Sequence, residues 1–86
     1  DGYEYITFKR YQDAFNTGDD RIEYIVETSR DLRTWTSDSD RTNGPLQVGT
    51  AVDMGGGMEK VVYRSREKRT DNGGKQLYIR VRVKSK

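Results

Sequence analysis

The stretch Gln76–Lys84, "QLYIRVRVK", alternates without a fault. Leu77, Ile79, Val81 and Val83 fall on one side of an extended chain, and Tyr78, Arg80, Arg82 and Lys84 on the other. Successive side chains of a strand point to opposite faces, so this period of two predicts one dry face and one wet face. That is the pattern of an antiparallel sheet with a single buried side. A helix would need apolar residues at i, i+3 and i+4, and no segment of the chain sustains that spacing.

Working outward, the same alternation recurs in shorter runs. "YEYITFKRY" (Tyr3–Tyr11) places Ile6 and Phe8 on one face and Tyr5, Thr7, Lys9 and Tyr11 on the other. "RIEYIVET" (Arg21–Thr28) groups Ile22, Tyr24 and Val26. "GMEKVVYRSRE" (Gly57–Glu67) sets Met58 and Val62 against Val61 and Tyr63. "RDLRTWT" (Arg30–Thr36) opens on a polar bend, and "LQVGTAV" (Leu46–Val52) is broken by Gly49. "AFNTGDD" (Ala14–Asp20) reads as a turn, "MGGGM" (Met54–Met58) as a hairpin loop, and "KRTDNGGK" (Lys68–Lys75) as a hairpin turn built on Asn72-Gly73. The glycine run lacks the following Lys-Ser/Thr and the helix that a phosphate cradle needs. The spacing predicts an all-β fold: a small antiparallel β-sandwich, immunoglobulin-like or jelly-roll-like, of about six to eight strands. The expected inward set is Ile6, Phe8, Ile22, Tyr24, Val26, Leu32, Val61, Tyr63, Leu77, Ile79, Val81 and Val83.

The totals fit one small module, residues 1–86, with a thin core. Hydrophobic residues make up 31% and charged ones 35%, a balance that would suit a disordered chain if the apolar residues were not grouped into alternating runs. There is no cysteine and no histidine, which removes disulfides, thiolate metal sites, thiol nucleophiles and the usual general base. Acid pairs such as Asp19–Asp20 and Glu23–Glu27 have no cleft to face each other across in so thin a domain, so no catalysis is expected. The net charge is +2, too little for a phosphate-backbone binder, and nucleic acid is not an expected partner. No apolar run approaches the roughly 20 residues that span a bilayer, and no membrane partner is expected. No signal peptide is visible and the chain opens on a strand-like sequence, so the expectation is a monomeric module excised from a longer protein.

The stretch "YIVETSRDLRTW" (Tyr24–Trp35) is more specific. Its Tyr24, Val26, Glu27, Ser29, Asp31, Leu32 and Trp35 form a Tyr-x-Val-Glu-x-Ser-x-Asp-Leu-x-x-Trp pattern. This pattern resembles a C-terminal β-sandwich module found at the ends of large secreted and surface proteins of environmental bacteria. "MEKVVYRSRE", "QLYIRVRV" and "YITFKR" are similar to further strands of that module and come in the same order. The resemblance implies a secreted or cell-surface location and a non-catalytic appendage, often on a polysaccharide-active protein. It brings no catalytic residues. Tyr78, in "GKQLYIRV", departs from the family's closing strand.

Three constellations remain. Trp35 reads either as a core plug against Tyr24 or Leu32, or as an exposed platform for a sugar ring. "SDSDRTNG" (Ser37–Gly44) spaces Asp38, Asp40 and Asn43 almost as a calcium loop does, but one gap is too long and no bidentate Glu follows; it reads as a solvated loop, and no metal or other cofactor is expected. The wet faces join aromatics with cations: Tyr78, Arg80, Arg82 and Lys84 on the last strand, and Lys9 and Tyr11 on the first. If the two strands are neighbours, they form one surface on which tyrosines stack on sugar rings and guanidinium forks take carboxylate or sulfate. With Trp35, these are the expected ligand-binding residues. The expected ligand is an anionic polysaccharide, sulfated or uronate-rich. The rival expectation is a structural or sorting module of a surface protein with no glycan ligand.

Overall fold

The computed structural model describes residues 2–12, 16, 18 and 21–85. It contains seven strands: β1 (Tyr5–Tyr11), β2 (Ile22–Ser29), β3 (Thr36–Ser37), β4 (Leu46–Gln47), β5 (Val52–Gly55), β6 (Met58–Arg64) and β7 (Tyr78–Ser85). Every pairing is antiparallel. One sheet runs β1-β6-β4, with β5 also paired to β6, and the other runs β3-β2-β7. The chain is a small all-β sandwich, as the alternation predicts. The turn expected over Ala14–Asp20 falls mostly outside the described residues. Of it, the Asn16 side chain acts as a strand partner for Ile22: Nδ2 donates to the Ile22 carbonyl at 2.6 Å, and Oδ1 accepts from the Ile22 amide at 2.7 Å.

The sandwich is thin and long, 43 × 24 × 18 Å, with a radius of gyration of 14.0 Å where a compact chain of this length would have about 12 Å. Its core is correspondingly sparse. Val26 and Val61 are each 1% exposed, with Tyr63 beside them and Ile6, Phe8, Ala51, Ile79 and Val81 packed around. Phe8 lies between the rings of Tyr24 and Tyr63, with centroids at 6.1 and 5.9 Å. These offset stacks hold the two sheets together through aromatic area rather than aliphatic bulk.

The glycine run behaves as expected. β5 and β6 form a hairpin through Gly56 and Gly57, both at positive φ, the backbone that favours glycine. The segment Lys68–Lys75 does not form one. β6 and β7 belong to different sheets, so the connection must cross the sandwich. It does so through a turn of 3₁₀ helix, Arg69–Asn72, closed by Gly73 at φ 66°. Asp71 caps it by accepting the Lys68 amide at 2.8 Å.

Two members of the expected core are corrected. Leu32 is 55% exposed: it is the one non-glycine residue at positive φ among those described, and the turn that contains it carries it away from the sheets. Val83 is 59% exposed although its partner across the ladder is Tyr24. It sits near the end of β7, an edge strand whose last residues are all exposed. The period places it on the right face, but it stays exposed at the end of the strand.

Candidate functional site

The first and last strands are not neighbours. β1 pairs with β6, and β7 pairs with β2 in the other sheet. The expected composite surface therefore divides in two. Lys9 and Tyr11 lie on the β1–β6 sheet, across from Lys60 and Met58. Tyr78, Arg80, Arg82 and Lys84 lie on the β2–β7 ladder, across from Ser29, Glu27, Ile25 and Glu23.

The β2–β7 face is organised by Glu27, which the sequence marks as half of an acid pair and as part of the Tyr24–Trp35 pattern but not as a binding residue. Glu27 is central on β2, between Ser37 of β3 and Arg80 of β7. Arg80 Nε donates to its Oε1 at 3.0 Å, and Arg82 Nε donates to the same oxygen at 2.8 Å. Both arginine side chains remain about half exposed, while Glu27 is 8% exposed. Burial alone pushes the Glu27 carboxyl up, but the hydrogen bonds and charges of Arg82 and Arg80 outweigh it and hold the group below its ordinary value. Lys84 Nζ lies 3.8 Å from Glu23 Oε1.

Trp35 completes the cluster. The Arg80 guanidinium carbon lies 3.7 Å from the centre of its ring, and the indole is half-buried, between the core plug and the exposed platform of the two expectations. The preceding turn brings it there. Ser29 Oγ accepts from the amides of Asp31 and Leu32 at 3.2 and 2.9 Å, and Asp31 Oδ1 accepts from the amides of Arg33 and Thr34 at 2.8 and 3.0 Å. Short polar side chains of this kind satisfy a turn's backbone donors. The Asp31 carboxyl is held low by those backbone bonds, Thr34's first. Leu32 takes the left-handed conformation at φ 64°, and the chain returns as β3 beside β2. Six of the seven residues of the Tyr24–Trp35 pattern thus have a folding role: Tyr24 stacks on Phe8, Val26 fills the core, Glu27 gathers the arginines, Ser29 and Asp31 make the turn, and Trp35 covers Arg80.

The Ser37–Gly44 loop is held by its own hydrogen bonds and by bonds with Val26 and Arg66. Asp40 Oδ1 accepts from the Thr42 and Asn43 amides, both at 3.0 Å. Arg66 ties the loop down by donating to the carbonyls of Gly44 at 3.1 Å and Arg41 at 2.9 Å. Among the described residues no three acidic side chains gather into a metal site.

A second ion pair faces inward. Arg10 shares the parity of Ile6 and Phe8, and its Nε donates to Glu59 Oε2 at 2.6 Å while Nη1 reaches Tyr63 Oη at 3.3 Å. Its place in the alternation was the signal that marks it as inward. No helix among the described residues is long and apolar enough to cross a membrane. Comparison with protein-family models, with curated proteins and with solved structures finds no match for the chain.

Proposed function

We propose that the chain is a non-catalytic binding module of a secreted or surface protein, and that it holds an anionic polysaccharide on the outer face of the β3-β2-β7 sheet. One observation carries this reading: Arg80 and Arg82 are both anchored on Glu27 by Nε yet stay about half exposed. A guanidinium has five N–H donors, so each fork keeps donors for a carboxylate or sulfate. The buried carboxylate sets the two forks two residues apart on β7, a spacing of roughly 6.5–7 Å that an extended glycan can follow. Ordering long side chains is part of the cost of binding, and these are already ordered.

The ladder sets three cations, Arg80, Arg82 and Lys84, against two carboxylates, Glu23 and Glu27. A single excess positive charge supports weak, salt-sensitive binding. A second reading has its own support. A network this well satisfied internally also suits a spacer or sorting module whose arginines serve the fold alone.

Affinity electrophoresis through sulfated, uronate-rich and neutral polysaccharides separates the two. Arg82→Ala removes one fork while Glu27 keeps Arg80. The expected result is retardation by the anionic gels, weakened by salt and by Arg82→Ala, in a variant that still melts cooperatively but at a somewhat lower temperature, since Glu27 loses one of its two partners. Equal mobility in all gels favours the spacer.

A further inference from the structure

Where β2 and β6 end and β7 begins, the sandwich opens into a cavity of about 410 Å³, within the range of small-ligand sites. Its walls are the Trp35-bearing turn, the Ser37–Gly44 loop and the segment after β6. Thr28 and Thr36 face each other across β2 and β3 at its edge, and Thr34 stands beside them. Among the described residues these three hydroxyls take part in no hydrogen bond. Asp31 commits Oδ1 to the turn and leaves Oδ2 open. Asp40 commits Oδ1 to its own loop, and among the described residues its Oδ2 has only the Asn43 amide group, at 3.5 Å. Arg66 commits Nε and Nη2 to backbone carbonyls and leaves Nη1.

We infer that this cavity binds one neutral sugar unit, with the Thr28, Thr34 and Thr36 hydroxyls, the open oxygens of Asp31 and Asp40 and the remaining Arg66 donor meeting the ring hydroxyls. A sugar hydroxyl both donates and accepts, and this wall offers both roles at close quarters. The lining also sets Arg30 and Arg66 against Asp31, Asp40 and Glu67, with Arg30 paired to Glu67. That balance repels an anion, so the cavity takes a different unit from the arginine face. Leu77, 2% exposed, closes the floor of the cavity, so contact with the ring is mainly polar. The loops are fixed by their own hydrogen bonds before any ligand arrives, so little ordering remains to be done.

Titration of the ¹⁵N-labelled chain with glucose, galactose, mannose, xylose and N-acetylglucosamine tests this. The titration is run in about 1 M salt, where the screening length is near 3 Å and binding on the arginine face is suppressed. At least one sugar is expected to give saturable shifts at the amides of Thr28, Asp31, Thr34, Thr36 and Asn43, with the β7 amides unmoved. Thr28→Val and Thr36→Val keep the side-chain shape and a strand-forming residue, and each should weaken that binding about three- to tenfold, the worth of a lost hydrogen bond. Absence of saturable shifts with every sugar overturns the inference. So do shifts that both variants leave unchanged. The inference is independent of the arginine face: Arg82→Ala leaves the sugar shifts in place, so either site can fail alone.

Discussion

The Arg80 guanidinium carbon lies 3.7 Å from the centre of the Trp35 ring while its Nε donates to Glu27 at 3.0 Å. One side chain thus joins all three strands of its sheet: Trp35 leads into β3, Glu27 is on β2 and Arg80 is on β7. Removing the carboxylate should loosen both partners at once. Glu27→Gln keeps the shape but leaves two guanidinium groups competing for a neutral acceptor. The expected loss is about 1–3 kcal/mol, below that of a fully buried pair because both arginines reach water. Urea unfolding followed by the emission of Trp35 measures it. A change within about 0.5 kcal/mol would mean that the cluster contributes little to the fold.

Acid should destabilise the protein, and the sign follows from the carboxyls. Glu27, Asp31 and Asp40 are all held below their ordinary values: Glu27 by Arg82 and Arg80 against its own burial, Asp31 by the amides of Thr34 and Arg33, and Asp40 by those of Asn43 and Thr42. In the range between folded and unfolded values the unfolded chain binds more protons, so stability rises with pH there. The contribution is complete above the ordinary carboxylate range, near about 4, and is lost as the pH falls through the folded values. Melting temperatures taken from neutral to acid should therefore hold and then drop. Glu27→Gln should start lower and drop less steeply. An equally steep drop in that variant would remove Glu27 from the account.

The faces of the strands were legible in the sequence, but their neighbours were not. Alternation assigns Val26 and Val61 inward because a strand's period is two, whatever lies beside it. It is silent on whether β1 sits beside β7 or β6, because either pairing buries Ile6 and Phe8. The expected joint surface of Lys9, Tyr11 and Arg80 came from assuming the pairing. Burial also depends on coverage from the facing layer, which is why Val83 has the right parity and the wrong exposure. Leu32 fails for a local reason: its side chain is apolar, but Ser29 and Asp31 make the turn that expels it. Glu27 could have been anticipated as a charge in mid-strand opposite a strand rich in arginine.

Gly44 separates two reasons for keeping a glycine. A Cβ there would meet the Ser37 carbonyl oxygen at 1.9 Å and the Asp40 carbonyl oxygen at 2.7 Å, and both are backbone atoms that cannot swing aside. Gly49 has φ 68° and open space around its Cβ position. Gly49→Ala should cost about 1–2 kcal/mol, the ordinary penalty of a left-handed backbone. Gly44→Ala should cost roughly 3 kcal/mol or more, because the loop must part from β3 and overpacking adds to the lost Asp40–Gly44 bond. Thermal melts of the two variants side by side give the ranking. A reversed order would show that the loop adjusts without resistance.

The inward pair Arg10–Glu59 calls for a double-mutant cycle. The side chains are 26% and 16% exposed, and the Arg10 guanidinium is raised above its ordinary value although burial lowers it, because its hydrogen bonds to Glu59 and Tyr63 prevail. A half-buried pair is costly to break from one side, since the remaining charge loses its partner but not its burial. Arg10→Met and Glu59→Leu should each lose about 1–3 kcal/mol. The double variant should lose clearly less than the sum, because two apolar side chains facing each other beside Tyr63 and Phe8 extend a sparse core. Urea unfolding of the parent, the two single variants and the double variant supplies the four values. Additivity within about 0.5 kcal/mol would mean that the two side chains act separately and that solvent, not the partner, holds each charge.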